Sequence, residues 1–157
     1  MTTTKFDYEP LLGPGRHEFD RSELSSRFAR GFGTSRIELN FRLHELLDAL
    51  EELGVACQVW INGSYLCNKP DPNDVDVVII VWHETYNALS EAALDFLDEI
   101  MQPHFHALPG VDAFVCIEYP RGHELYEEDN PDQWADLFGI EHSGQWLKGF
   151  AVVYVEP

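Results

Sequence analysis

Apolar positions along this chain repeat in two rhythms, and each rhythm predicts an element. Leu39, Leu43, Leu46, Leu47, Leu50 and Leu53 recur at helical spacing behind a capping-box pattern, Ser35-Arg36-Ile37-Glu38, and Gly54 supplies a stop. Residues 36–53 are therefore expected to form a long amphipathic helix. Residues 55–61 alternate Val, Cys, Val and Ile on one face, the period of a strand. Asn62-Gly63-Ser64-Tyr65-Leu66-Cys67 comes next, and after it the polar residues and two prolines of Asn68-Lys69-Pro70-Asp71-Pro72-Asn73 read as a loop. Residues 74–82 follow as a second strand; its run Val77-Val78-Ile79-Ile80-Val81 is apolar on both faces, as a central strand requires. Helical spacing returns over 84–101 through Tyr86, Leu89, Ala93, Phe96, Leu97 and Ile100, and Pro103 closes it. Residues 111–119 form a third strand.

The two ends of the chain are less regular. Residues 1–19 read as irregular around Gly13-Pro14-Gly15, and Asp20-Arg21-Ser22-Glu23 has the form of a capping box for a short helix to about Phe28, broken by Gly31 and Gly33. After an acidic loop at 120–130, Asn130-Pro131-Asp132 suits a helix start, with an end at Gly139. Ile140 and the apolar run from Trp146 to Val155 flank a turn at Ser143-Gly144, which predicts a hairpin or a returning strand. The order helix, strand, loop, strand, helix, strand describes an α/β (α+β) fold, a mixed sheet with helices packed on one face. The 157 residues suit one domain, with an irregular segment at 1–34, a core at 35–119 and a C-terminal extension at 120–157.

Composition narrows the partners. The net charge is −18 and the chain has three lysines, Lys5, Lys69 and Lys148. Polynucleotide affinity rests largely on Lys and Arg meeting phosphates, so this surface argues against a long nucleic acid as substrate. A basic protein is a better electrostatic match, and a nucleoside triphosphate remains admissible because a divalent metal carries the local positive charge. Cys57, Cys67 and Cys116 have no metal-type spacing and read as reduced, buried thiols. With no apolar run near ~20 residues and no basic-apolar leader at Met1-Thr2-Thr3-Thr4, the expectation is a cytoplasmic protein without a membrane span.

Candidate chemistry sits between the first two strands. Gly63 lets backbone approach a ligand closely, and Ser64 adds a hydroxyl donor that suits a phosphate. Asp74 and Asp76 are two apart on a strand and so share a face. Two adjacent carboxylates at the edge of an apolar strand raise each other's pKa unless a cation sits between them, and magnesium is the hard cation that carboxylate and phosphate oxygens prefer. Lys69 in the intervening loop and Lys148 beside the last strand are the candidate cations for phosphate. His104 and His106 share strand parity but lie between prolines, which favours a loop over a metal site. Trp134, Trp146 and Tyr154 read as core aromatics, and Ser64 lacks the second glycine of a hydrolase nucleophile elbow.

Gly63, Ser64, nine residues and then Asp74-Val75-Asp76-Val77 resemble the motif of the nucleotidyltransferase superfamily, the polymerase beta-like group. A softer likeness, from Leu12-Gly13-Pro14-Gly15-Arg16-His17 through Lys148-Gly149, is similar to small bacterial minimal nucleotidyltransferases. The resemblance implies two Mg2+ ions held by Asp74, Asp76 and a third carboxylate on a later strand, either Asp112 or Glu118, with Asp112 the better match to the family pattern. It implies a triphosphate, ATP foremost, gripped by Gly63 and Ser64, and transfer of a nucleoside monophosphate to a hydroxyl on a protein or small molecule. Such domains also serve as antitoxins of toxin–antitoxin pairs, and some bind nucleotide without chemistry.

Overall fold

In the computed structural model, residues 8–29, 33–103, 105, 107–126, 130–138 and 149–157 are described. Five strands form one mixed sheet in the order β1-β5-β2-β3-β4: β1 Gly15–Glu18, β2 Cys57–Asn62, β3 Val75–Trp82, β4 Val111–Glu118 and β5 Gly149–Val155. The pairs β1–β5 and β3–β4 are parallel, whereas β5–β2 and β2–β3 are antiparallel. The helices are α1 Arg21–Leu24, α2 Thr34–Glu52, α3 His83–Asn87, α4 Glu91–Ile100 and α5 Pro131–Phe138. No helix of the described residues is long and apolar enough to cross a membrane.

The leucine stripe of α2 is buried as its spacing requires. Leu39, Leu43, Leu46, Leu47 and Leu50 pack with Ala93, Leu97 and Ile100 of α4 onto one face of the sheet, against Val59, Ile61, Val77, Ile79, Ala113 and Val153. Gly54, with φ of +72°, ends α2, and the Val55 amide returns to the Leu50 carbonyl at 2.9 Å. The run Val77–Val81 is buried on both faces because β3 lies inside the sheet. All three cysteines are free and buried, and burial pushes the Cys57 thiol up to about 12. The second face carries a smaller cluster of Trp60, Val78, Ile80, Cys116, Phe150 and Val152, against which Trp134 and Ala135 of α5 pack. The helices are therefore not confined to one face, because α5 partly covers the other.

Four local expectations are corrected. The segment before residue 20 is not wholly irregular: β1 is an edge strand whose residues are mostly exposed, so no apolar alternation marks it, and it exists through pairing with β5. The helix expected over 84–101 is two helices, because the Ser90 hydroxyl accepts from the Ala93 amide at 3.2 Å and caps a new start. The N-cap of α2 is Gly33 and not Ser35, whose hydroxyl donates to Asp71 at 3.4 Å instead. Tyr154 is exposed rather than part of the core, and its hydroxyl donates to Glu18 at 2.8 Å and contacts Arg16. By contrast, Asn130 does cap α5, accepting from the Gln133 amide at 3.2 Å. The expected turn at 143–144, Trp146 and the Ile140 arm of the hairpin lie outside the described residues; the returning strand itself is β5.

Behind the loop that follows β2, a charged side chain is fully buried. Arg36 is in phase with Leu39, Leu43 and Leu50 and has no exposed surface. Its guanidinium donates to the carbonyls of Phe28 (3.1 Å), Tyr65 (2.6 Å), Cys67 and Lys69 (2.7 Å). Four residues on, Asn40 donates to Ser25 at 2.7 Å and accepts from the Tyr65 hydroxyl at 3.0 Å. Burial lowers the pKa of Arg36, yet a guanidinium starts so high that it stays charged. Replacing it leaves several buried carbonyls without donors, each worth about 1–3 kcal/mol. Arg36→Met is expected to lose on the order of 3 kcal/mol or more in urea unfolding, and Arg36→Lys to recover only part of that loss. An unchanged midpoint for Arg36→Met would show that these contacts do not support the fold.

Candidate metal and nucleotide site

Three strands and one loop meet at a single point on the sheet face opposite α2 and α4. Register pairs Asn62 of β2 with Asp76 of β3, and Asp76 with Asp112 of β4. Paired residues project to the same face, so this row sets an amide and two carboxylates side by side. Asp74 comes immediately before β3, which begins at Val75 and not at 74, and it shares the parity of Asp76. One oxygen from each of Asp74, Asp76 and Asp112 lies within 4.8 Å of the other two. Asp74 and Asp76 are half-buried and Asp112 is exposed. Burial first, and the charge of Asp74 second, push the Asp112 carboxyl above the usual range.

Register also decides between the two candidates for third carboxylate. Glu118 pairs with Trp82 at the far end of β3, six residues beyond Asp112, or ~20 Å at roughly 3.3 Å per residue. Matching parity put both residues on one face, but only Asp112 reaches the pair.

Gly63 closes the site from β2. Its φ is +91°, and a Cβ there would stand 2.9 Å from Asp76 Oδ2 and 3.3 Å from the Asp76 amide nitrogen. Glycine is thus required twice over, by backbone conformation and by contact with the carboxylate. Ser64, half-buried, begins a single 3-10 turn, Ser64–Leu66, in which the Leu66 and Cys67 amides return to the Gly63 and Ser64 carbonyls, both at 3.1 Å. The first amides of such a turn have no partner inside it. Lys69 is held by its backbone, its carbonyl accepting from Arg36, and its ammonium forms no ion pair with a described residue. Lys148, His104 and His106 lie outside the described residues.

The donor set suits a hard divalent cation. It is made of oxygens only, and in the same row one more oxygen has no hydrogen-bond partner among the described residues: Asn62 Oδ1, on a residue 4% exposed. A buried acceptor costs free energy when unsatisfied, and its neighbours across the strands are carboxylates, which are acceptors too. A cation, or a water held by one, resolves that conflict. Adjoining the carboxylates is a cavity of about 500 Å3, bounded by Asp76, Asp112, Met101, Phe105, Pro109 and Phe114.

Sequence reasoning passed over Asn62 and the cavity. Asn62 was legible in principle, as the last residue of a strand antiparallel to the one carrying Asp76 and directly before the glycine. The cavity was not, because it forms where the α4–β4 connection folds along the edge of the sheet.

Residues 4–154 match the model of a family described as a family of unknown function (DUF6932), and the chain belongs to that family. No curated protein and no solved structure matches it.

Calorimetry or Mn2+ paramagnetic resonance is expected to detect divalent binding that Asp76→Asn and Asp112→Asn each weaken by at least about tenfold, while Glu118→Gln leaves it unchanged. Equal affinity in Asp112→Asn would remove that residue from the site. A raised carboxyl pKa means that Asp112 favours the metal-free fold below the usual carboxylate range and ceases to do so as pH rises through the raised value. Metal affinity has the opposite sign, and titrations should show it falling on acidification before an ordinary carboxylate would protonate. Gly63→Ala is expected to cost about 1–3 kcal/mol in thermal melts and to weaken metal binding by displacing Asp76.

Proposed function

We propose that this member of the family is a magnesium-dependent nucleotidyltransferase that moves a nucleoside monophosphate from a triphosphate, ATP foremost, to a hydroxyl on a protein or small molecule. The observation that carries this reading is the convergence of Asp74, Asp76 and Asp112 within 4.8 Å at the point where Gly63 packs on Asp76. Three carboxylate oxygens gathered at one point are the donor set that divalent metal uses in phosphoryl-transfer sites, and here they stand beside a glycine that admits no side chain. The motif resemblance agrees with that geometry.

The roles follow from position. Asp74 and Asp76 would hold the two metal ions between the strands, with Asp112 completing the set on the β4 side. Bound magnesium supplies the positive charge that phosphate oxygens need during such a transfer. Gly63 leaves room for a phosphate against the backbone, and the Ser64 hydroxyl donates a hydrogen bond to it. Asp112, the most exposed of the three, would accept the proton of an incoming hydroxyl. The ammonium of Lys69, not engaged by any described carboxylate, is available to the triphosphate. Lys148, one of three lysines and next to the last strand in the sequence, would take the same role. A long nucleic acid is a poor acceptor for a chain of net charge −18.

Labelled ATP with magnesium should bind, and should transfer label to an acceptor at a rate that Asp76→Asn reduces on the order of a thousandfold without lowering the melting temperature. Ser64→Ala should weaken triphosphate binding by about three- to tenfold, one hydrogen bond's worth. No binding of any of ATP, GTP, CTP or UTP in the presence of magnesium would refute the reading.

A further inference from the structure

The carboxylates divide the site into two compartments. On the β2 side stand Gly63 and the Ser64–Leu66 turn. On the β4 side lies the cavity of about 500 Å3, which takes in Asp76 and Asp112 but neither Gly63 nor Ser64. A triphosphate held at the turn would present its α-phosphorus at the carboxylates, with its leaving group toward β2. The group that attacks in line must then come from the β4 side.

Resting on the transferase reading above, we propose that this cavity is the acceptor compartment and that it selects an uncharged alcohol with an apolar body. Its lining sets apolar Met101, Pro103, Phe105, Pro109 and Phe114 beside polar Asp76, Gln102 and Asp112. Two of these, Met101 at 40% and Phe114 at 48%, are among the large apolar side chains the fold leaves exposed. Apolar surface facing a catalytic cavity gains from covering by an apolar body. Charge argues in the same direction. No Lys or Arg occurs anywhere between Lys69 and Arg121, the stretch that builds β3, α3, α4 and β4. An acceptor carrying phosphate would meet no Lys or Arg among the described residues that line the cavity. An ammonium would lose its hydration against apolar walls. The volume is that of a small-molecule site, and it also admits a short uncharged peptide presenting one hydroxyl side chain.

The step balances without further reagents. The acceptor oxygen forms a bond to the α-phosphorus, and the bond from that phosphorus to the oxygen bridging to the β-phosphate breaks. Pyrophosphate leaves with the electron pair, and the hydroxyl proton passes to an Asp112 carboxylate oxygen and on to water.

The test uses the full chain with ATP, magnesium and four probes: 3-phenyl-1-propanol, an uncharged Phe-Ser peptide capped at both ends, glycerol 3-phosphate and a single-stranded oligonucleotide. Probe binding is read from the Met101 methyl and Phe114 ring resonances, and turnover from pyrophosphate release. The apolar alcohol or the peptide is expected to shift those resonances and to stimulate release; which of the two does so better tells a small-molecule source from a protein source. Phe114→Ala and Met101→Glu, both at exposed positions and checked for folding by circular dichroism, should raise the acceptor KM about tenfold and leave the ATP KM unchanged. Better use of glycerol 3-phosphate or the oligonucleotide overturns the proposal. So does a Phe114→Ala variant that loses ATP affinity instead, since the cavity would then seat the nucleobase. ATP binding and hydrolysis that persist while neither apolar probe binds defeat the acceptor assignment alone; failure of ATP to bind defeats the transferase reading beneath it.

Discussion

A guanidinium held by backbone carbonyls sets the geometry on which the rest of the site depends. Moving a cation out of water is costly, and Arg36 meets that cost by taking up the carbonyls of Phe28, Tyr65, Cys67 and Lys69. Those carbonyls come from the turn after α1 and from the loop after β2. A loop of polar residues and prolines would otherwise be free to drift. Here its first half is turned inward onto a fixed charge, and Tyr65 is tied a second time through its hydroxyl to Asn40. Gly63 and Ser64 lie at the mouth of that anchored segment, so the glycine meets Asp76 in one position only.

The same arrangement separates the two faces of the sheet by task. One face is closed by the leucine stripe of α2 and the apolar side of α4, which supply the main core. The other carries Asn62, Asp76 and Asp112 in one row, with aromatic packing from Trp60, Phe150 and Trp134 further along the sheet. Because side chains alternate along a strand, β3 serves both at once: Val75, Val77, Ile79 and Val81 face the core, while Asp76, Val78 and Ile80 face the site side. Concentrating carboxylates on a face that is only partly covered keeps their burial moderate, which is what a cation site with an entry path requires.

Much of this was legible in the residues. The period of the leucines found α2, the apolar run found β3, and the spacing of Gly63-Ser64 to Asp74-Val75-Asp76 marked the site. Other features were hidden for physical reasons. Edge strand β1 has no apolar alternation because one of its edges and most of its surface face water. The break at Ser90 is a capping event within a continuous apolar stripe. Arg36 sat on the stripe in phase with Leu39 and Leu43, yet a charged residue at a helix start reads as solvated unless carbonyls are known to wait for it.

The sequence by itself determined most of the elements and the parity that puts Asp74 and Asp76 on one face, because those depend on local period. Only the tertiary structure decided which strand lies next to which. Parallel pairing of β3 with β4 in that register is a contact between segments some 36 positions apart in the chain, and no local pattern encodes it. It brings Asp112 to the pair, leaves Glu118 at the far end of the strand, and opens a cavity beside the carboxylates where the α4–β4 connection runs.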